Sequence, residues 1–374
     1  MNKLSTKRFG TLMGALFLIS TVSFSQFDNF DFLKSAPADG VKFLQSYISP
    51  YANAFGAGLS GGWYNTAKPH KLLGFDLTIS VNAGVVPSSD NTFDVKKIGL
   101  STAFAPTSPT GSSITPTVAG PKTPVVPMTL KDAAGNTLTS FNTPPGADWK
   151  YVPAPTAQIG LGLPFGTEVK FRFLPKVSIG KGDVSLWGVG VMHSLIQYLP
   201  GAKMIKLFDV SAFGGYTKIT SNIPLNLQPD QSTSHYTPAV NPTTAFSNQF
   251  LSATVSALNI GIIGSITIPV ITVYGGVGYS KTAMDVKLKG NFPTPTYNSA
   301  YPLTPIVYED KGVVGDGITG VTGIKPFPAI EIKNLSGLRA NIGLRLKLAI
   351  LTIHADYTLA QYNIMSAGIG LSFR

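Results

Sequence analysis

Apolar and polar residues alternate with a period of two over several long stretches of the chain. Between residues 73 and 85 every odd position is apolar, from Leu73 to Val85, and the even positions carry Gly, Asp, Thr, Ser or Asn. The same alternation runs through residues 338–348, 351–359 and 367–374. Side chains of a β-strand point alternately to its two faces, so these stretches predict strands with one apolar and one polar face.

The length of these strands indicates which face meets water. A soluble sandwich shows the same alternation with its apolar face inward, but its strands run to about 5–6 residues. Eleven residues at a rise of about 3.4 Å and a tilt of about 45° span about 26 Å, close to the apolar band of an outer-membrane barrel. Charged residues make up only 13% of the chain, which suits a wall facing hydrocarbon. We therefore expect an all-β fold, a transmembrane antiparallel up-and-down β-barrel.

The spacing of the patterned stretches predicts twelve strands, or fourteen if a long loop hides a hairpin. The strands are placed at 56–65, 72–86, 92–104, 156–163, 167–176, 184–192, 207–219, 249–267, 270–289, 337–348, 351–359 and 365–374. Short connections and long connections alternate in outer-membrane barrels. The short turns assigned to the periplasmic side are 87–91, 164–166, 268–269 and 349–350, with 193–206 as a longer one. The extracellular loops are 105–155, 220–248 and 290–336, rich in Pro, Thr, Ser, Asn and Gly.

The first 25 residues have the pattern of a secretory signal peptide. Three basic residues precede an apolar stretch, and Ser23-Phe24-Ser25 forms a cleavage motif of small residues. The exported chain is therefore predicted to begin at Gln26 and to reach the bacterial outer membrane.

Residues 26–55 are predicted to form an N-terminal helical segment ahead of the barrel. Its helix is placed over Asp39–Ile48, where apolar residues recur at helical spacing, and it is expected to end before Pro50. A twelve-stranded barrel is too wide for its own side chains to fill. The segment is expected either to plug the lumen or to lie against the periplasmic rim, and the sequence favours neither.

Composition and charge exclude several function classes. The formal charge of +11 is scattered, without a basic run or interleaved aromatic residues, so a nucleic-acid partner is not expected. The chain contains no Cys, which excludes disulfides, thiolate nucleophiles and Cys-based zinc sites. No H-x-x-x-H pattern or Asp-rich calcium loop occurs. We therefore predict no metal and no cofactor.

Charged residues on the polar faces of the predicted strands are candidates for lining the lumen. They are Asp76, Lys170, Arg172, Asp285, Arg339, Arg345, Lys347, His354 and Asp356, and the same face is assigned to Lys281, Lys287 and Lys289. A mainly basic lumen would attract anions, including carboxylates. The alternative is that these charges pair across the wall and hold the plug.

His354 is the candidate for catalysis. It shares a strand face with Asp356, and Ser372 lies on the polar face of the neighbouring strand, so a Ser-His-Asp arrangement is conceivable. A polar lumen face carries such residues in any case, and a structural histidine is the simpler interpretation. We therefore predict that the protein is not an enzyme, with an outer-membrane lipid hydrolase as the remaining alternative.

Three motifs resemble a known family. They are Trp63-Tyr64-Asn65-Thr66-Ala67-Lys68-Pro69-His70, the run Gly188–Pro200 and the run Pro269–Tyr279. Together they resemble an uncharacterised family of exported outer-membrane β-barrel proteins from Bacteroidota, in which Trp63, Tyr64, Thr66, Lys68 and His70 would be motif residues. The plan of a helical segment before a barrel is similar to that of long-chain fatty acid transporter barrels. The resemblance implies an outer-membrane location and supplies no activity.

Two functions are compatible with these expectations. The first is a passive channel or transporter for a small hydrophobic or anionic solute, set in outer-membrane lipid and lipopolysaccharide. The second is a non-conducting barrel that binds an envelope protein, such as a secretion or assembly component, through its long loops. These loops are longer than closing a hairpin requires.

Overall fold

The computed structural model describes most of the chain after the predicted signal peptide. The described residues are 37–132, 134–179, 182–198, 207–225, 234–236, 246, 248–300, 306–315 and 330–373. The predicted signal peptide and cleavage site, together with residues 26–36 of the predicted N-terminal segment, lie outside the described residues.

The described chain begins with one long helix, α1, over Pro37–Ser60. It is longer than the predicted helix at Asp39–Ile48 and continues through Pro50. A proline inside a helix removes one backbone hydrogen bond, and packing compensates here because Leu59 and much of α1 are buried. The strand predicted at 56–65 is therefore wrong, since its first half is the last turn of α1. Neither α1 nor any other described helix is long and apolar enough to cross a membrane.

Ten of the described strands form a closed antiparallel barrel, which confirms the predicted fold class. Around the ring they are β1 (Phe75–Val85), β18 (Ile364–Phe373), β17 (Leu351–Leu359), β16 (Ile330–Leu348), β13 (Ile271–Lys289), β12 (Phe250–Ile268), β10 (Phe208–Pro224), β9 (Gly182–Ser194), β8 (Thr167–Ile179) and β7 (Tyr151–Leu163). Strand β7 then pairs with β1 and closes the ring. The predicted count of twelve, and the alternative of fourteen, are corrected to ten, because 56–65 lies inside the lumen and 92–104 lies outside the ring.

The remaining described strands form small sheets outside the barrel. They are β2 (Thr92–Asp94), β3 (Phe104–Pro106), β4 (Ile114–Pro116), β5 (Pro127–Lys131), β6 (Thr137–Asn142), β11 (Ser234–Tyr236), β14 (Asn291–Tyr297) and β15 (Ile306–Gly315). Strands β2 and β4 form one sheet, β3, β5 and β6 a second, and β11, β15 and β14 a third. The three long segments predicted as loops therefore contain ordered strands.

The two ends of the barrel differ in their connections. One end, the turn-bearing end, joins β7 to β8, β9 to β10, β12 to β13 and β16 to β17, and it also holds Phe373. The opposite, loop-bearing end is where β1, β10 and β13 end and where the long excursions of the chain outside the ring begin. The turn 87–91 was predicted on the side of the short turns, which is wrong. Strand β1 runs towards the loop-bearing end, so 87–91 begins the excursion there.

The long strands reverse the hydropathy of their two faces partway along. On the first half of β13, Val273, Val277 and Tyr279 face outward and are 41%, 66% and 38% exposed. Beyond Tyr279 the outward side chains are charged: Lys281, Asp285, Lys287 and Lys289. In that second half Val286 and Leu288 face inward and are buried. Strand β16 reverses at Leu338, which is the register partner of Tyr279.

The helix α1 lies within the ring. It contacts β1, β7, β10, β12, β13, β16 and β18, which are drawn from opposite sides of the barrel. The approach to the wall is close, since a Cβ added to Gly84 would lie 1.8 Å from the carbonyl oxygen of Ala54. After Ser60, residues 61–74 continue through the lumen to the turn-bearing end, where they join β1. The path of residues 37–74 is thus that of a plug, from the loop-bearing end to the turn-bearing end.

Residues 86–150, which we call the cap, form a second hydrophobic core with the first half of α1. Phe43 and Leu44 of α1 pack in this core with cap residues and with the inward side chains at the loop-bearing ends of β13 and β16. A side-chain bond ties the cap to the β17–β18 connection, because Tyr362 donates to Asp90. Burial raises the pKa of Tyr362, so its phenol remains a donor at neutral pH. The cap is therefore packed onto the barrel rather than loosely appended to it.

Candidate functional site

The carboxyl-terminal end of α1 lies in the lumen, where an arginine from the wall binds it. The last carbonyl groups of a helix lack partners within the helix and carry the negative end of its dipole. Arg172 of β8 donates from Nη1 to the Leu59 carbonyl at 2.9 Å and from Nη2 to the Gly61 carbonyl at 2.7 Å. Its guanidinium also stacks on Trp63, 3.7 Å from the ring centroid. One side chain thus binds residues on both sides of the helix end.

A second arginine reaches the same helix end from another side of the barrel. Arg339 of β16 donates from Nη1 to the Ser60 carbonyl at 3.0 Å and to Ser60 Oγ at 2.9 Å. Asn259 of β12 donates to the same carbonyl at 3.2 Å. Arg172 and Arg339 are only 1% and 7% exposed. We call Arg172, Arg339 and Asn259 the clamp, because their donors converge on the end of α1 from three strands.

The lumen wall closes tightly around Trp63, the first residue of the WYNTAKPH motif. A Cβ added to Gly190 or Gly215 would lie 2.9 or 2.7 Å from the indole, so only glycine fits opposite the ring. On another side, the gap beside Tyr64 and Phe213 is too small to admit a water molecule. The lumen at this level is therefore filled by the motif.

The rest of the motif is bonded to the wall at successive points. Tyr64 donates to Asn341 Oδ1 at 2.8 Å, and the Ala67 backbone N–H donates to Ser265 Oγ at 3.0 Å. The Thr66 hydroxyl accepts from the Lys68 backbone N–H at 3.2 Å, which shapes the local turn. The motif residues expected from the resemblance are thus internal residues that fix the path of the chain through the barrel.

Nearer the turn-bearing end, His70 of the motif enters a buried cluster of charged groups. His70 Nδ1 lies 2.9 Å from Glu168 Oε2 and 3.8 Å from Asp76 Oδ1. The ammonium of Lys170 contacts Glu168 and lies 3.8 Å from Asp76 Oδ1. His70 Nε2 lies 3.1 Å from the hydroxyl of Ser372. These five residues, the His70 cluster, are each at most 6% exposed.

The His70 cluster also contains a possible set of metal ligands. Ligand atoms of His70, Asp76 and Glu168 lie within 4.8 Å of one another. Lys170, however, places its ammonium against both carboxylates. A divalent cation at this point would be repelled by that ammonium at short range. The donor set therefore fits a buried ion-pair network better than a metal centre.

Ser372, His70 and Glu168 follow the order of a serine hydrolase triad, with hydroxyl, imidazole and carboxylate in sequence. His354, the candidate considered for a lipid hydrolase, is not part of it. Ser372 is 2% exposed and also accepts from Lys347 Nζ at 3.3 Å. A nucleophile needs room for a substrate carbonyl beside it, and the described residues around Ser372 are packed. The arrangement can anchor residues 61–74 to the wall.

The other predicted lumen residues on β16 and β17 also face the inside of the barrel. Arg345 is buried, and Lys347 reaches Ser372. His354 is 3% exposed and its Nδ1 lies 3.5 Å from the Asn65 amide nitrogen. Asp356 accepts from Tyr274 Oη at 3.0 Å. The sequence therefore identified inward-facing residues on these strands, whereas their partners come from the plug in the case of His354 and from other strands in the case of Lys347 and Asp356.

Asp285 is the predicted lumen residue that the structure places elsewhere. Its side chain is 60% exposed on the outer face of β13 and pairs with Lys287 Nζ at 2.8 Å. Lys281 and Lys289 face outward as well. The prediction assumed that charged faces point inward along the whole strand. Beyond Tyr279 the inward face packs against α1 and is apolar, so the charged face points to solvent.

Sequence reasoning missed the clamp. The available signal was the presence of two arginines, Arg172 and Arg339, on polar strand faces. It also passed over Gly58-Leu59-Ser60-Gly61-Gly62, which fits the G-x-S-x-G spacing of hydrolases. In a hydrolase this turn leads from a strand into a helix, whereas here it ends one, and Ser60 Oγ donates to the Ala57 carbonyl at 2.7 Å.

Residues 1–373 match the family of unknown function DUF6588. The chain belongs to DUF6588. No curated protein matches this DUF6588 chain. The family match agrees with the resemblance to a family of unknown function that the WYNTAKPH motif and its companions suggested.

Solved structures similar to this DUF6588 protein are bacterial barrels. The outer membrane protease OmpT from Escherichia coli is 7% identical, with 80% of this chain and 97% of that chain covered and a TM-score of 0.31. Ail, the attachment invasion locus protein of Yersinia pestis, is 6% identical, with 81% and 99% covered and a TM-score of 0.26. A Pseudomonas aeruginosa FadL homologue is 10% identical, with 86% and 96% covered and a TM-score of 0.20. At this level of similarity no activity is transferred from them.

Proposed function

We propose that this DUF6588 protein is a non-conducting outer-membrane barrel that holds its cap, together with the amino-terminal end of α1, at the cell surface for contact with a partner protein. The observation that carries the proposal is the occupied lumen. Residues 37–74 run through the barrel from end to end and are bonded to the wall by the clamp and the His70 cluster.

The outer wall supports a membrane location. On the turn-bearing side of Tyr279 and Leu338, the exposed outward side chains are Ile, Leu, Val and aromatic residues. The inward side chains on that side include the buried charged residues. On β16 this belt runs from Leu338 to Leu348, which at about 3.4 Å per residue and a tilt of about 40° spans about 26 Å. A soluble barrel would expose this surface to water. The loop-bearing end would then face outward, as in outer-membrane barrels.

The clamp argues against passive transport, the function first expected from the sequence. A solute could cross only if residues 37–74 left the lumen. That movement would leave the Leu59, Ser60 and Gly61 carbonyls, and the guanidinium groups, without these partners. Each buried polar group left unsatisfied costs about 1–3 kcal/mol, and more if charged. Of the basic residues that suggested an anion pathway, Arg172 and Arg339 are engaged by backbone carbonyl oxygens, and Lys170 is engaged by Glu168.

The direction of α1 supports display at the surface. Its first turn lies at the loop-bearing end, where the Asp39 carboxylate accepts from the Ser101 backbone N–H of the cap at 3.0 Å. Ala38 is exposed at this point. Pro37, the first described residue, therefore lies at the loop-bearing end. On the proposed orientation, this is the outer face of the cell.

Single-cysteine labelling tests the orientation, because the chain has no cysteine of its own. We expect Ala38→Cys to react with a membrane-impermeant maleimide on intact Gram-negative cells. The matched variant Ala349→Cys, in an exposed turn at the opposite end, should react only after the outer membrane is permeabilised. The reverse pattern would contradict the proposed display.

Planar-bilayer recording tests the closed state. The purified protein is expected to show no channel activity, whereas removal of residues 37–60 should produce it if the barrel still assembles. Heat-modifiable mobility on gels checks assembly. Steady conductance by the intact protein would favour the transporter interpretation instead.

A further inference from the structure

An apolar groove lies on the outer wall, on the side formed by β13, β16, β17, β18 and β1. Its volume is about 910 Å³. The outward side chains that line it belong to the membrane-facing belt and include Val273, Leu344 and Val81. No function considered above uses this surface.

The strand register explains why the wall is concave here. Ala355 of β17 is the register partner of Ala367 of β18, so two methyl groups lie side by side and form the floor. On the loop-bearing side of the floor stands the pair Tyr357 and Met365, and on the turn-bearing side the pair Ile353 and Ile369. All four of these larger side chains are between 40% and 57% exposed. The groove is thus a gap one residue pair wide between two rows of larger side chains.

The groove meets aromatic rings and a positive charge near the cap. Trp149 and Tyr151 line it, with ring centroids 5.6 Å apart. The ammonium of Lys150 lies 5.5 Å from the Tyr151 ring centroid. Trp and Tyr are enriched where hydrocarbon meets headgroups, and a basic residue at that level attracts lipid phosphate.

We propose that this groove binds a phosphate-bearing lipid of the outer leaflet. One acyl chain would lie on the Ala355–Ala367 floor, and the phosphate would meet Lys150. The inference rests on the membrane location proposed above. It assigns a ligand class to an outer surface that is separate from the lumen and the His70 cluster and includes the end of the cap at Trp149 and Lys150.

Charge and position favour a lipid over a protein occupant. The floor lies within the belt that faces hydrocarbon, and the side chains that point into the groove are apolar. The cation stands at the end where phosphates of the outer leaflet would lie. A second copy of this chain would have to bring an anionic group to Lys150, and the same outward belt on that copy carries none between Ile271 and Tyr279 of β13.

Native mass spectrometry of the full-length protein in detergent tests the proposal. The probe is diphosphorylated lipid A, compared with zwitterionic phosphatidylcholine. We expect Ala355→Phe, which fills the floor, to abolish the stoichiometric lipid A adduct. Its matched control is Ala212→Phe, an outward alanine on β10 away from the groove. Lys150→Gln should weaken binding about fivefold, whereas Lys281→Gln, an outward lysine outside the groove, should not.

The proposal would be overturned by equal lipid A binding by Ala355→Phe and Ala212→Phe, by equal binding of phosphatidylcholine and lipid A by the unaltered protein, or by a dimer that Ala355→Phe dissociates. If inorganic phosphate displaced the lipid A adduct, the site would recognise the phosphate group alone. This result would also contradict a lipid site. The labelling and conductance measurements do not depend on this groove, so failure of the lipid site can be distinguished from failure of the proposed function. Heat-modifiable mobility confirms that each variant is folded.

Discussion

The two halves of strand β13 differ in which of their faces is apolar. From Ile271 to Tyr279 its outward face is apolar, and from Lys281 to Lys289 the same face is charged. The inward face changes in the opposite sense, from the buried Thr272 to the buried Leu288. Because the backbone and its period are unchanged, the reversal reflects a change of surroundings. The first half is built for hydrocarbon outside, and the second for water.

The contents of the barrel reverse at a similar level. Around the last turns of α1, and from there towards the loop-bearing end, the inner wall is apolar. Leu174, Leu186, Ile219 and Val255 pack around Leu59. Closer to the turn-bearing end, the inner wall carries the His70 cluster and meets a polar segment of chain. The part of the barrel nearer the loop-bearing end thus resembles a soluble protein packed around a helix. The part nearer the turn-bearing end combines a lipid-facing exterior with an interior held by buried hydrogen bonds.

The largest effect is expected where these two interiors meet. Arg172→Met would retain bulk beside Trp63 but remove the donors to the Leu59 and Gly61 carbonyls. Two unsatisfied carbonyls, at about 1–3 kcal/mol each, should lower the free energy of unfolding by about 2–6 kcal/mol. Urea unfolding of protein in lipid vesicles measures the change. Arg172→Lys, which keeps the charge but loses the planar fork, should lose less.

If Arg172→Met had the same free energy of unfolding as the unaltered protein, the clamp would not hold the helix end. Planar-bilayer recording of the same variant adds a second readout. Intermittent openings, absent from the unaltered protein, are expected when the plug is less firmly held.

The reversal along β13 can be tested by placing the same charge on both halves of one face. Val273→Arg puts a cation into the apolar belt, where it should cost about 2–4 kcal/mol near the middle of the bilayer. Asp285→Arg puts the same group on the exposed half, where an effect within about 0.5 kcal/mol is expected. Folding yield into lipid vesicles and urea unfolding measure both variants. Equal costs would contradict the assignment of the membrane boundary to the level of Tyr279.

The alternation in residues 73–85 and 338–374 was sufficient to predict the barrel because a lipid-facing wall keeps period two over many residues. It did not predict ten strands. Residues 56–65 are rich in glycine and small residues, which are compatible with a strand, the end of a helix or a close-packed coil. Only the tertiary position inside the ring distinguishes these structures.

The candidate site was predictable within the membrane-facing belt but not beyond it. Asp76, Arg172, Arg339 and His354 face inward as expected, because the membrane-facing rule holds at their level. Asp285 faces outward, because between Tyr279 and the loop-bearing end the apolar face of β13 points inward. This reversal depends on α1 being inside the barrel. The plug partners of Arg172 and Arg339 lie far away in sequence, as Arg339 and Ser60 illustrate, so no local pattern could have paired them.

The smallest expected effect concerns Ser372 of the His70 cluster. Ser372→Ala removes one buried hydroxyl bonded to His70 Nε2 at 3.1 Å and should lower the free energy of unfolding by about 1 kcal/mol. Ser336→Ala, at an exposed outward position of β16, is the control and should change it by less than about 0.5 kcal/mol. Phospholipid hydrolysis is measured alongside. If the unaltered protein cleaved phospholipid and Ser372→Ala did not, the cluster would be catalytic, and the lower lumen would open to substrate instead of anchoring the plug.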